Sequence, residues 1–343
     1  TTDRVNTLEK ELEGSIADIG TLKNEAGETL SRISSLENEV SSVMGASEVY
    51  QRVSQATVRI SNGESTIGSG FIFDDESRVV TTHHVIENLT SIYVIFPYGI
   101  VSKVTLDGSS ALSDVAVLTL QDTPMVEALT LADSDQVNIG RPAVAIGNPF
   151  DLPGTMTAGI VSQTSRFVEI ESDSQVRWIA NLIQFDAPAN SGNSGCPLFN
   201  SAGEVIGMVI ARINPGEGDG IYYAVSSNKI KRVANSIIAK GFFDYPWLGV
   251  NIADITPQIV QDMSLETTNG ALVVGILNNS PAKASGIEAD DIIVAIDGVM
   301  IRNIADLTSY LGEHKNPDES ATLELIRGAT KIELTLEIGS RPS

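Results

Sequence analysis

The residues best suited to chemistry lie in one short segment around Ser194, which reads Asn190-Ser191-Gly192-Asn193-Ser194-Gly195-Cys196-Pro197-Leu198. A nucleophilic serine needs an exposed hydroxyl and nearby backbone N–H groups that hold an oxyanion. Glycines near Ser194 permit the tight turn that points two N–H groups at one spot. We expect Gly192 and Ser194 to supply these donors, with Asn193 completing the oxyanion hole between them. The alternative is a turn that only joins two strands.

A serine nucleophile needs a base, and the chain contains three histidines: His83, His84 and His314. His314 lies in a charged stretch near the C-terminus and is expected at the surface. His83 and His84 follow a predicted strand, so strand alternation would place them on opposite faces. Only one of these two would then face the serine, and the residues alone leave open which one is the base.

An orienting carboxylate completes such a site, and Asp114 is the candidate. It immediately precedes the apolar run Val115–Leu118, so its side chain can be buried at the start of a strand. The alternative is an exposed aspartate in a turn. The chain order of histidine, aspartate and serine is that of chymotrypsin, and it differs from the order in subtilisin and in α/β-hydrolases.

Three of these segments resemble the triad segments of the HtrA/Deg family of trypsin-like proteases: Val80–Val85, Ser113–Leu118 and Gly192–Leu198. Other stretches resemble the same family and its C-terminal PDZ domain: Ala145–Phe150, Gly159–Ser162, Ile183–Asp186, Trp247–Val250, Ser280–Ile287, Asp291–Ile293 and Ile296–Gly298. These segments occur in the family's order from about residue 46 to the end of the chain.

The resemblance implies a mainly β protein, with two perpendicular β-barrels that hold the active site between them and a small α+β PDZ domain. It makes His84 the general base, Asp114 its orienting group and Ser194 the nucleophile. Members of the family act on unfolded or damaged proteins, often as trimers and in extracytoplasmic compartments, and some are also chaperones. We expect no metal or cofactor.

The sequence departs from the family pattern close to the nucleophile. Cys196 replaces the usual glycine, so it is strained if that position needs a positive φ, and is otherwise only a larger packed side chain. His83 replaces an alanine, Ser191 a proline and Phe185 a threonine. None of these changes removes a triad atom, but each could alter the shape of the pocket.

Substrate preference is predicted from two places in the sequence. Pro188 stands where the trypsin subclass carries a carboxylate, so we expect no strong preference for basic P1 residues. The expected pocket strand looks apolar and favours aliphatic P1 side chains; it contains Ile221, Tyr222, Tyr223 and Ala224. The alternative is that both tyrosines pack inside the barrel.

The PDZ-like module implies a second binding site, for peptide C-termini. We expect N–H groups of the segment Trp247, Leu248, Gly249 and Val250 to hold a terminal carboxylate while the peptide adds a strand to the sheet edge. A bound peptide could be a substrate, an activator or a neighbouring subunit.

The pattern along the chain predicts three parts: residues 1–45 as a coiled-coil helix, 46–243 as the protease domain and 244–343 as the PDZ domain. Heptads from Val5 place apolar residues at ten of twelve a and d positions, which favours an oligomer. The heptad composition indicates a dimer, whereas the family indicates a trimer. The alternative is a single amphipathic helix on the body of the protein.

Composition limits the remaining partners. The chain of 343 residues has a formal net charge of −22, which argues against nucleic acid as a partner. It has no apolar run of the roughly 18 residues that a membrane span needs. The family resemblance implies an extracytoplasmic protein, and we expect its targeting or anchoring segment to lie upstream of Thr1. A chaperone or peptide-binding scaffold with an inactive barrel is the competing function.

Overall fold

The computed structural model describes Arg4 and residues 20–32, 45–122, 126–172, 175–212 and 220–342. The chain divides into two compact units, Thr1–Gly45 and Ala46–Ser343. In the first unit, residues 20–32 form helix α1, and Leu22 and Leu30 are exposed. Most of the heptad pattern lies outside the described residues, so the coiled coil stays a prediction. No described helix has the length and apolar character of a membrane span.

The first part of the second unit is a closed barrel of six strands in the order β1-β2-β3-β6-β5-β4. Short helices accompany it, α2 (Ala46–Val53) before the first strand and α3 (His83–Ile86) after the third. The strands are β1 (Thr57–Ser61), β2 (Thr66–Ile72), β3 (Arg78–Thr81), β4 (Tyr93–Ile95), β5 (Val101–Ser110) and β6 (Val115–Leu120). Its interior is filled by fully buried apolar side chains that include Ile60, Phe71 and Leu118.

A second closed barrel follows, with strands in the order β10-β11-β12-β9-β8-β7. These strands are β7 (Pro142–Gly147), β8 (Thr155–Ser172), β9 (Gln175–Phe185), β10 (Pro197–Phe199), β11 (Val205–Arg212) and β12 (Tyr222–Ser226). Helix α4 (Ser227–Lys240) comes next. The Ser226 hydroxyl caps it by accepting from the Lys229 N–H, and Gly241 ends it at φ +85°.

The C-terminal part is a small α+β domain, so the predicted mainly β fold followed by an α+β module is confirmed. Its strands are β13 (Pro246–Trp247), β14 (Val250–Asp254), β15 (Ala271–Ile276), β16 (Ile292–Ile296), β17 (Val299–Met300), β18 (Ser320–Arg327), β19 (Thr330–Glu337) and β20 (Gly339–Ser340). Its helices are α5 (Pro257–Asp262), α6 (Pro281–Ser285) and α7 (Ile304–His314). Strand β14 is an edge of the main sheet, in the order β14-β15-β16-β18-β19.

Helix α7 joins this domain to the second barrel. The Asn181 side chain on β9 donates to the carbonyl of Ser309 at 2.8 Å. Lys229 is fully buried, and its ammonium donates to the Tyr245 hydroxyl at 2.9 Å and to the Gly312 carbonyl at 3.4 Å. Because α7 also packs against edge strand β14, the same helix contacts both the barrel and the edge that could receive a peptide.

Candidate active site and peptide-binding loop

The first barrel brings His84 and Asp114 together. The Nδ1–H of His84 donates to Oδ2 of Asp114 at 2.7 Å, and the backbone N–H of His84 donates to Oδ1 at 2.9 Å. Asp114 is 2% exposed and lies at the start of β6 with φ +50°. Both carboxylate oxygens therefore hold one residue, which fixes the orientation of the imidazole ring.

His83 has different neighbours. Its Nδ1 lies 2.9 Å from the Ser109 hydroxyl and its Nε2 lies 3.7 Å from the Glu87 carboxylate. Both histidines begin helix α3, so the expectation that strand alternation separates them was wrong. Their side chains diverge because successive helical residues point in directions about 100° apart. His84 is therefore the histidine that contacts Asp114.

Ser194 lies between β9 and β10, and its side chain is partly exposed. Its hydroxyl donates to the backbone carbonyl of Ile210 on β11 at 3.0 Å. Its own carbonyl accepts from the Ser69 N–H on β2, in the other barrel, at 2.8 Å. The predicted nucleophile thus sits where the two barrels meet.

Four successive carbonyls of the segment Ser191–Ser194, the nucleophile loop, accept hydrogen bonds. The Phe150 N–H donates to the Ser191 carbonyl, and the Ser69 hydroxyl donates to the Gly192 carbonyl. The Cys196 N–H donates to the Asn193 carbonyl, and the Ser69 N–H donates to the Ser194 carbonyl, all at 2.8–3.3 Å. In a trans peptide the N–H points away from the preceding carbonyl. In the described part of the chain, the N–H groups of Gly192 and Ser194 donate to no protein group.

Asn193 differs from its two neighbours in this loop. Its N–H donates to the Asn190 carbonyl at 2.9 Å. It is therefore already engaged and cannot serve as an oxyanion donor in this arrangement, contrary to the sequence-based expectation. Gly192 and Ser194 remain as the two candidate donors.

The segment Leu248–Gly249, the carboxylate loop, has a similar backbone arrangement. The carbonyl of Leu248 accepts from the Ala282 N–H, and that of Gly249 accepts from the Leu277 N–H, both at 2.9 Å. Within the described residues, the N–H groups of Leu248 and Gly249 donate to no protein group. The neighbouring predicted residues are already in the sheets, because Trp247 ends β13 and Val250 begins edge strand β14.

Comparisons with known proteins cover both parts of this unit. A family model for the trypsin-like peptidase domain matches residues 68–208, and one for the PDZ domain matches residues 246–338. The chain is 35% identical over 277 residues to a probable periplasmic DegP-like serine endoprotease of Rhizobium meliloti, covering 80% of this chain and 54% of that relative. It is also 35% identical over 274 residues to the periplasmic serine endoprotease DegP of Escherichia coli, covering 79% and 56%.

A solved structure of the HtrA-type protease AlgW with a tripeptide is 30% identical, with a TM-score of 0.72, and the match covers 87% of this chain and 98% of that one. The chain belongs to the HtrA/DegP family of serine proteases. It spans about half the length of the two curated relatives described above.

Cys196 is this HtrA/DegP chain's departure nearest the nucleophile. It is fully buried, and burial raises the pKa of its thiol far above the ordinary value. Cys196 is not among the residues with positive φ; the left-handed position is the preceding Gly195, at φ +88°. The strain that a glycine-requiring position would impose is therefore absent, and Cys196 packs as a small apolar side chain.

The predicted specificity residues of this HtrA/DegP chain fall into two groups. Tyr222 belongs to the buried cluster of the second barrel, and its ring lies 5.8 Å from that of Phe185. Tyr223 and Ala224 are buried in the same strand, whereas Ile221 is partly exposed and Pro188 is exposed. This placement supports the alternative that Tyr222 packs the barrel. Residues 213–219, which precede this strand in the chain, lie outside the described residues.

Sequence reasoning did not single out Ser69 and Asn148, which contact the nucleophile loop. Ser69 lies in Gly68-Ser69-Gly70 on β2, and Asn148 follows β7. A glycine inside a strand often marks the close approach of another backbone, and a Cβ on Gly68 would lie 3.1 Å from the carbonyl oxygen of Ser194. The glycines on either side of Ser69 could therefore have indicated that another backbone segment approaches β2 closely at this point.

Proposed function

We propose that this chain is a serine endopeptidase that cleaves unfolded or damaged polypeptides, with Ser194 as nucleophile, His84 as general base and Asp114 as the orienting carboxylate. The observation that carries the proposal is the double contact of Asp114 with His84. With the proton of neutral imidazole held on Nδ1 by the carboxylate, the lone pair is on Nε2. This is the tautomer that can accept a serine proton.

Catalysis then starts when the Ser194 hydroxyl turns its proton from the Ile210 carbonyl to Nε2 of His84. Attack on a peptide carbonyl places negative charge on the substrate oxygen. The N–H groups of Gly192 and Ser194 are proposed to bind this charge. The carbonyls of the same two peptide groups, those of Ser191 and Asn193, already accept hydrogen bonds from other N–H groups. One such donor contributes roughly 10²–10³ in kcat in a serine protease. His84 returns its proton to the leaving amine.

The carboxylate loop supports capture of peptide C-termini as the second activity. A terminal carboxylate can accept from the N–H groups of Leu248 and Gly249 while the peptide pairs with the open edge of β14. Partly buried apolar side chains on β14 and α7, including Val250, Ile252 and Ile304, lie beside this edge and suit an apolar terminal residue. The similar AlgW structure carries a tripeptide.

A fluorophosphonate probe tests the proposed chemistry. We expect labelling of the wild type that disappears in Ser194→Ala and persists in Ser201→Ala, a control serine in a turn after β10. The comparison should be repeated across salt concentrations, because salt screens the self-repulsion that a net charge of −22 creates in the folded chain. If the wild type is unlabelled in all conditions, the protease proposal is wrong.

The competing function is a peptide-binding scaffold with an idle barrel. The observation that favours it is the direction of the Ser194 hydroxyl, which donates to the Ile210 carbonyl at 3.0 Å. Under this alternative, an unlabelled chain would still bind C-terminal peptides, and Ser194→Ala would not change its suppression of aggregation by an unfolded client.

Assembly and location are also proposals. We propose that residues 1–45 hold the chain in an oligomer. The family indicates three chains, whereas the heptad composition indicates two. Deleting these residues should reduce the number of chains per particle measured by light scattering, and an unchanged number would refute their role. The curated relatives are named periplasmic, and we propose an extracytoplasmic location, anchored or secreted, for this chain as well. Cell fractionation that recovers the chain only in the cytoplasmic fraction would contradict this.

A further inference from the structure

Ser69 contacts the nucleophile loop on both sides of Ser194. It is fully buried on β2, in the barrel opposite the loop. Its N–H donates to the Ser194 carbonyl at 2.8 Å, and its hydroxyl donates to the Gly192 carbonyl at 2.8 Å. One residue therefore restrains the peptide groups that flank the proposed oxyanion donors.

The direction of the Ser69 hydroxyl is fixed by Asn148. The backbone N–H and the side-chain Nδ2 of Asn148 donate to Ser69 Oγ at 3.1 and 3.0 Å. A serine hydroxyl has one proton and two lone pairs, so these two donors use both acceptor positions. The single proton is left to point at the Gly192 carbonyl.

Asn148 is itself held in one orientation. Its Nδ2 also donates to the Val58 carbonyl at 3.2 Å, and its Oδ1 accepts from the Gly154 N–H at 3.1 Å. Reversing the amide would place two donors at Gly154 and two acceptors at Val58. The surrounding backbone therefore determines which end of Asn148 faces Ser69.

We infer that Ser69 and Asn148 are positioning residues that keep the Gly192 N–H available to the oxyanion; this rests on the proposed protease function. Gly192 has φ +96°, and glycine can rotate readily at such positions. The loop thus needs external restraints on the two peptides that flank Gly192: the Phe150 N–H holds the Ser191 carbonyl at 3.3 Å, and the Ser69 hydroxyl holds the Gly192 carbonyl at 2.8 Å. Without that bond, the peptides on either side of Gly192 can turn and carry its N–H out of line.

Ser69→Ala tests the inference on the full chain. We expect kcat to fall about tenfold, less than the loss of a whole oxyanion donor, with KM for a peptide substrate unchanged. The matched control is Ser227→Ala, because Ser227 is also fully buried and its hydroxyl also donates to a backbone carbonyl, that of Ala132, at 2.8 Å. Active-site titration corrects both variants for any unfolded fraction.

Asn148→Asp gives a second route to the same defect without deleting the hydroxyl. A carboxylate at this position accepts the Ser69 proton and draws it away from Gly192, while it can still accept from the Gly154 N–H. We expect the kcat loss of Asn148→Asp to match that of Ser69→Ala, and the double variant to lose no more than either single one.

Inhibition by a peptide aldehyde separates positioning from a merely structural role. The aldehyde forms a tetrahedral adduct whose oxygen needs the oxyanion donors, so its Ki should rise by the factor by which kcat falls. If Ser69→Ala keeps wild-type kcat and Ki, as Ser227→Ala should, this inference is wrong although the protease proposal stands. A wild type that no fluorophosphonate labels would overturn both.

Discussion

The nucleophile loop and the carboxylate loop lie in different domains, yet they share one backbone design. In each loop, the carbonyls accept hydrogen bonds from other parts of the protein, while two N–H groups donate to no described protein group. Each also has a glycine in the left-handed region, Gly192 at φ +96° and Gly249 at φ +80°. Such an array of free N–H groups is suited to bind negatively charged oxygen.

The two loops differ in what holds them and in what surrounds them. Backbone N–H groups of Leu277 and Ala282 restrain the carboxylate loop, which leads directly into an edge strand. The nucleophile loop, which carries Ser194, is restrained by backbone N–H groups and, in addition, by a side-chain hydroxyl from the other barrel. We therefore propose that N–H groups alone are enough to bind a permanent carboxylate, and that the base and the nucleophile proposed at Ser194 adapt the same arrangement to a transient oxyanion.

The largest expected effect separates chemistry from binding. His84→Ala should lower kcat by about 10⁴-fold or more, because the proton acceptor for Ser194 is lost. His83→Ala should retain most activity, since His83 contacts Ser109 and Glu87. Neither change should alter the Kd of a fluorescent C-terminal peptide measured by anisotropy. The reverse pattern between the two histidines would show that the base is assigned one residue out.

A smaller effect tests whether the carboxylate loop needs its glycine. A Cβ on Gly249 would lie 2.1 Å from the Cβ of Ser280, so Gly249→Ala must move the loop. We expect the Kd of the C-terminal peptide to rise about tenfold or more. Fluorophosphonate labelling of Ser194 should continue.

Gly298→Ala is the matched control for this change. Gly298 also has φ +80° in the same domain, but a Cβ there meets no atom within 4 Å. The control thus carries the backbone strain without the clash, and its peptide Kd should stay near the wild-type value. Equal weakening in both variants would mean that general destabilisation, and not the loop, accounts for the loss.

The mainly β fold could be predicted from the sequence because strand patterns are local. The pairing of His84 with Asp114 was implied by the family resemblance, since the residues alone left open the choice between His83 and His84. The triad segments are short, and the apolar run Val115–Leu118 lies within strand β6 (Val115–Leu120). Helix α4 is likewise bounded by residues that locally favour helix ends, because Ser226 caps its start and Gly241 ends it.

The parts that the sequence did not predict depend on long-range contacts or on one turn. The Ser69 hydroxyl and the Gly192 carbonyl are 123 positions apart, and no local pattern shows which carbonyl a buried serine will meet. The side on which His84 lies depended on whether the chain continues as a strand after Thr82 or turns into a helix. Only tertiary packing decides between these two conformations.

The smallest expected effect concerns Glu313 on α7, the helix that contacts both the second barrel and β14. Burial raises the pKa of the Glu313 carboxyl, outweighing its hydrogen bond from the Ser226 hydroxyl and the nearby positive charge of Lys229. A carboxyl with a raised pKa in the folded state stabilises the fold most at low pH. That contribution is lost as the pH rises through the folded-state pKa.

Glu313→Gln should therefore raise Tm by about 2 °C at pH 8, and the difference should shrink towards zero as the pH falls to about 3, below the ordinary carboxyl pKa, because the wild-type carboxyl is then protonated in both the folded and the unfolded state. The amide oxygen can still accept from the Ser226 hydroxyl, so the substitution removes only the charge. Differential scanning fluorimetry across this pH range measures the difference. A lower Tm of the variant at pH 8 would mean that the attraction between the Glu313 carboxylate and Lys229 exceeds the cost of burying the carboxylate. In that case, this pair of buried charges stabilises the contact between the second barrel and the C-terminal domain.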